Sequence, residues 1–188
     1  MGKLTTRGEI HLKRNICIGF LFFIVFLFGC SDEQTFEDYF HQKMLEMHLD
    51  EENYSYSLVE KQFNIVHEDD AIAVFKEHKN QEEKIFIAYF EKEDNQWEWK
   101  QTKGSKWDSP VKWSSMNDEP YIYSGAINDY SIAEVYAGDE KATIIDVEDE
   151  KRYWFAISPI KDVKVKIVKT GGTEEIIEET NHEELDSK

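Results

Sequence analysis

The chain has 188 residues, with 22 basic against 39 acidic groups and a formal net charge of −17. Apolar residues make up 40% and aromatics 14%, too rich in core formers for a disordered chain and suited to one domain of ordinary size. Such an acidic surface repels phosphate backbones, which argues against nucleic acid as a partner; its plain physical role is solubility.

Residues 1–29 carry Lys3, Arg7, Lys13 and Arg14 against a single acid, Glu9, and from Ile16 to Phe28 the chain is apolar and uncharged. That run matches the roughly 7 to 15 residues of a secretory apolar region and falls short of the roughly 20 that a membrane-spanning helix needs. A permanent span is therefore the second reading. The run stops at Leu27-Phe28-Gly29-Cys30, which resembles the bacterial lipobox. Leu27, Gly29 and Cys30 occupy their expected places, while Phe28 stands where that pattern has a small residue. The resemblance implies a diacylglycerol on the Cys30 thiol and cleavage between Gly29 and Cys30. Residues 1–29 are then a signal peptide, 30–35 a lipidated tether, and the membrane a partner through that lipid, on the outer face of the cell membrane. From Cys30 onward 18 basic and 38 acidic groups remain, a net of −20, so the domain is expected to stand off an anionic bilayer. No cysteine follows Cys30, so no internal disulfide can form there and stability must come from the core.

After the polar stretch Ser31-Asp32-Glu33-Gln34, the spacing of Phe36, Phe40, Met44 and Met47 predicts an amphipathic helix ending near Leu49. Thr35 is its N-cap, with Asp38 three residues on as a variant capping box. Beyond Tyr54 the period changes to two, which predicts strands near 56–66, 71–78, 84–91 and 96–102 joined by charged turns at 67–70, 79–83 and 92–95. In the third of these, Ile85, Ile87 and Tyr89 alternate with Phe86, Ala88 and Phe90, so both faces are expected to be covered: one by the helix, the other by the second half of the chain. Residues 103–120, with Gly104, Pro110, Pro120 and several Ser and Asp, read as a long loop and the best candidate for an internal boundary. Strand signals resume near 121–127, 131–136, 140–147, 151–157, 162–169 and 173–178, with a turn at Thr170-Gly171-Gly172-Thr173. Residues 181–188 read as a disordered tail. The fold class is α+β and mostly β: one amino-terminal amphipathic helix packed on antiparallel, meander-like sheets, forming a single domain over 36–180.

Chemistry is sparse in this pattern. His41, His48, His67, His78 and His182 are scattered, with no His-x-x-x-His and no cysteine pair, so no metal or cofactor is expected. Glu37 and His41, one helical turn apart, read as a surface pair, and Asp146-Val-Glu-Asp-Glu150 as a charged hairpin turn that lacks calcium-loop spacing. There is no Gly-x-Ser-x-Gly elbow and no Gly-rich phosphate loop between a strand and a helix. Trp97, Trp99, Trp107 and Trp113 form the one candidate binding face, with Trp97 and Trp99 on a shared strand face; exposed, they would stack on sugars or hold a peptide, and otherwise they complete the core. The tether, the acidic helix and a hairpin-rich body with Ser124-Gly125-Ala126-Ile127, Ile132-Ala133-Glu134-Val135 and Tyr153-Trp154-Phe155-Ala156-Ile157 resemble small uncharacterised lipoproteins of Gram-positive, Bacillus-like bacteria. That resemblance implies no particular activity or site. The expected role is a non-catalytic module, anchored outside the membrane, for a protein, peptide or cell-wall polymer; the alternative is a cell-envelope hydrolase with an acidic site.

Overall fold

A computed structural model describes residues 34–107, 111–148 and 150–180. The expected signal segment, the Gly29–Cys30 junction and the 181–188 tail lie outside the described residues.

Helix α1 spans Phe36–Met47, and Thr35 caps it: the Asp38 N–H donates to Thr35 Oγ1 at 3.2 Å while that hydroxyl donates to Asp38 Oδ2 at 2.7 Å. Its buried stripe is Phe36, Tyr39, Phe40 and Met44. Met47, expected on that stripe, is 52% exposed, and Tyr39 takes the inward place instead. The Tyr39 phenol oxygen finds a polar partner inside by accepting from the Trp99 N–H at 3.0 Å.

Four strands follow in strict order as an antiparallel meander: β1 Tyr54–Phe63, β2 Asp70–Lys79, β3 Glu82–Glu93 and β4 Gln96–Ser105. The turns are tighter than their charged flanks suggested. Asn80 and Gln81, then Asp94 and Asn95, take positive φ in succession, the backbone of a two-residue hairpin whose twist matches the strands. A bulge at Lys100, between the pairs Tyr89↔Gln101 and Phe90↔Trp99, keeps Trp97 and Trp99 on the helix side of the sheet.

The second half is antiparallel throughout but exchanges strands between two sheets. One holds β5 Ser114–Ser115, β6 Tyr121–Ile127, β10 Lys151–Ser158 and β9 Thr143–Glu148; the other holds β12 Glu174–Ile177, β11 Val165–Lys169, β7 Ile132–Ala137 and β8 Glu140–Lys141. The strand expected over 140–147 is broken at Ala142, whose N–H donates to the Val135 carbonyl at 2.9 Å and turns the chain from the third sheet into the second. Within the expected 103–120 loop, β4 runs on to Ser105 and β5 pairs with β6.

These elements stack in four layers. The helical stripe meets Ala71, Ala73, Phe75, Ala88 and Phe90 of the meander, where the alanines give the helix room to approach. The opposite face of the meander, with Ile72, Val74, Ile85, Ile87 and Tyr89, meets Ile122, Ala126, Tyr153 and Phe155 of the second sheet. The second sheet then turns Tyr123, Ile127, Trp154 and Ala156 toward Ile132, Val135, Val165 and Ile167 of the third. Strand β3 is thus covered on both faces, by the helix and by the second half of the chain. Each fully buried Val, Ile, Met or Phe side chain contributes about 1.5–3 kcal/mol, and these three apolar cores are where the domain draws its stability. Within the second sheet, close approach of the segment before β5 and of the cross-strand neighbour Trp154 fixes Gly125: a Cβ there would lie 2.5 Å from the Lys112 carbonyl oxygen and 2.7 Å from the Trp154 indole nitrogen.

Candidate functional site

Where α1 ends and the meander begins, a cleft of about 380 Å³ opens, lined by His48, Glu51, Glu77, Lys79, Lys84 and Phe86 among others. His48 is the helix C-cap, and its ring stacks on Tyr54 with centroids 3.8 Å apart. The two carboxylates address opposite edges of that ring: Glu51 Oε1 is 3.3 Å from Nδ1 and Glu77 Oε1 is 3.6 Å from Nε2. Lys79 Nζ lies 3.0 Å from Glu51 Oε2 and holds that carboxyl below the ordinary carboxylate range. Burial pushes the Glu77 carboxyl up, and burial together with the nearby Glu77 charge pushes the Tyr54 phenol up. The cleft therefore places a carboxyl that resists ionising and one that ionises readily on opposite sides of one imidazole. Because they lie beside different ring nitrogens, they do not converge on a shared point. Among the described residues no group of three His, Cys, Asp or Glu side chains could hold a metal.

The raised Glu77 carboxyl has a consequence for stability. Its ionised form is disfavoured in the folded state, so its contribution is most favourable below the unfolded value and is lost as pH rises through the higher folded one. Glu77→Gln is expected to gain stability over the parent at pH 7–8 compared with pH 4. A melting difference that is the same at both pH values, or larger at pH 4, would count against the desolvated carboxyl.

A second polar cluster ties the meander to the second sheet. Lys76, buried at the rim of their shared core, is ion-paired with Glu148 and lies 3.5 Å from Glu83. Lys151 Nζ is 2.6 Å from Glu83 and 3.2 Å from Glu148, and sits 5.1 Å above the Trp107 ring. His78 adds a 2.7 Å contact to Glu83. Hydrogen bonds from Lys76 and Lys151 hold Glu148 low, and those that Lys151 donates to Glu83 and Glu148 hold it high, the directions expected where opposite charges satisfy each other.

The third cluster organises the β1–β2 loop. Asp70 is fully buried and accepts three backbone N–H bonds, from Ile65 at 2.6 Å to Oδ1 and from Val66 at 2.8 Å and His67 at 3.0 Å to Oδ2. The Tyr89 hydroxyl lies 3.2 Å from both Asp70 Oδ2 and Glu91 Oε1, and burial raises its pKa, so it serves as a donor. Nothing in the residue pattern marked Asp70 or Tyr89. An Asp at a strand start and a Tyr in an apolar run carry no signal until the loop folds over them.

A groove of about 410 Å³ lies at the open end between the second and third sheets. Val111, Ile132, Ile167 and Ile177 are among its apolar residues, and Lys112, Asp129, Lys169 and Glu175 among its polar ones.

The four tryptophans separate. Trp97 and Trp99 do share a face of β4 and turn toward α1, Trp99 stacking on Phe40 at 5.8 Å and Trp97 meeting Phe36 edge-on at 5.1 Å. Trp107 packs against the core between meander and second sheet, and Trp113 against the core beyond, its indole N–H donating to the Ile177 carbonyl at 3.0 Å. All four are half-buried, each beside a different stretch of core or, for Trp97 and Trp99, the same one. Glu37 and His41 do not pair either: Glu37 takes Lys61, and His41 Nδ1 lies 3.1 Å from the Tyr56 hydroxyl. Compared with known proteins, the chain matches no family model, no curated protein and no solved structure.

Proposed function

We propose that the chain is an extracytoplasmic lipoprotein, anchored through lipid on Cys30, whose β-rich domain is a non-catalytic binding module for a protein, peptide or cell-wall polymer. The observation that carries this reading is the sequence at the amino end: a basic start, the apolar run Ile16–Phe28, then Leu27-Phe28-Gly29-Cys30 and a few polar residues before the Thr35 helix cap. A lipidated cysteine with two acyl chains anchors stably, where one chain is marginal. Among the described residues no helix is long and apolar enough to cross a membrane.

Support for binding over catalysis comes from how the polar clusters are used. Lys76, Lys151, Glu83 and Glu148 neutralise one another across two sheets, and Asp70 holds a loop through three backbone donors. The ion pairs join the meander to the second sheet and Asp70 orders the β1–β2 loop, so these groups are engaged within the fold.

The test is Cys30→Ala in the producing cell. The parent should incorporate labelled fatty acid and fractionate with membranes, and the variant should lose the label and either leave the membrane fraction or remain as an uncleaved precursor. A parent chain that takes up no fatty acid overturns the anchor.

A further inference from the structure

The end of the domain where the chain enters carries an aromatic corner. Phe36 opens α1 directly after the Thr35 cap, Phe63 ends β1, and Trp97 lies near the start of β4. Ring centroids are 5.3 Å apart for Phe36 and Phe63, 5.1 Å for Phe36 and Trp97, and 6.0 Å for Phe63 and Trp97. Phe36 is buried, Trp97 half-buried and Phe63 41% exposed, so Phe36 closes the helix–sheet core while Phe63 and part of Trp97 present ring surface to solvent. Lys61 Nζ lies 5.9 Å from the Phe63 centroid and Lys92 Nζ 5.8 Å from that of Trp97. The loop after Phe63 adds Val66, 49% exposed.

Rings at the rim of a tethered domain suit a membrane interface: their bodies fit the boundary between headgroups and acyl chains, and the Lys61 ammonium, ion-paired with Glu37, stays at the polar edge. We propose that this corner rests on the outer leaflet of the membrane, so that the tethered domain holds one orientation to the bilayer. The inference rests on the anchoring reading. Only residues 31–35 separate Cys30 from Phe36, a reach of at most about 20 Å even fully extended, and the headgroup layer takes up roughly 5–8 Å of that distance. The corner therefore stays near the surface, while the cleft at His48 sits at the far end of α1, about 18 Å further along the helix axis. The net charge of −20 from Cys30 onward repels an anionic leaflet, so the corner does not recruit an unanchored domain. The anchor supplies the local concentration that so small a contact lacks.

The test uses the full lipidated chain in vesicles of phosphatidylcholine with a minor share of phosphatidylglycerol, some acyl chains brominated near the headgroup. Flotation reports the anchor, and quenching of tryptophan emission by bromine reports the contact. The parent chain should float and be quenched; Trp97→Phe should float and lose the quenched component; Phe63→Ser should float with that component reduced. A chain that does not float removes the anchoring reading and this proposal with it. A chain that floats unquenched, or whose quenching survives in Trp97→Phe, leaves the anchor standing and overturns the proposal. Circular dichroism of both variants excludes loss of fold as the source of a lost signal.

Discussion

Asp70→Ala is expected to lower the unfolding free energy by about 4 kcal/mol or more, since three backbone bonds to a carboxylate, each contributing roughly 1.5–3 kcal/mol, are lost together. The N–H groups of Ile65, Val66 and His67 then lose their acceptor beside a fully buried position, and the Tyr89 hydroxyl loses one of its two carboxylate neighbours. For a domain of about 150 residues this corresponds to a fall in melting temperature of roughly 10 °C. Asp70→Asn keeps one acceptor oxygen in place and should lose less, which separates bond loss from the relief of negative charge. Denaturant midpoints for both variants check the claim; a loss under about 1 kcal/mol for the alanine variant would contradict the assignment of Asp70 as the organiser of the β1–β2 loop.

The second large effect belongs to Phe40→Ala. Phe40 is fully buried beneath α1, stacked on Trp99 and edge-on to Phe75 at 5.3 Å and Phe90 at 6.3 Å. Truncation of such a ring costs about 3–5 kcal/mol. A helix of 12 residues is marginal in isolation and depends on its packed face, so the loss should fall first on α1 itself. Hydrogen exchange should show α1 amides losing protection at denaturant concentrations where β7 and β11 keep theirs. Equal loss across both regions would mean that the helix is not a separate layer of stability.

The helix, the meander and most strand positions of the second half were legible because each rests on a local period. The Thr35 cap, the alternation in β3 and the strands at 121–127 and 151–158 follow from residues next to one another in the chain. What the pattern missed depends on partners distant in sequence. Tyr39 is inward because Trp99 offers it a backbone N–H, and Met47 is outward although its spacing fits the stripe. The break at Ala142 follows from strands that pair in different sheets, which periodicity cannot report. The candidate cleft was legible in none of its parts as a site: His48, Glu51 and Glu77 come from a helix cap, a turn and a strand, and only the fold sets one ring between two carboxylates. The tryptophans were visible, but composition does not say which layer each one joins.

The strand order also sets how the chain can assemble. Each partner in the meander is the next strand along, so its loops close at small entropic cost as soon as the residues exist. Strand β6 pairs along its full length only with β10, and must wait while β7, β8 and β9 pass by, two of them in another sheet. Sequence-adjacent pairing in the first half and interleaved pairing in the second make the meander and its helix a fast-forming platform on which the slower sandwich is laid down.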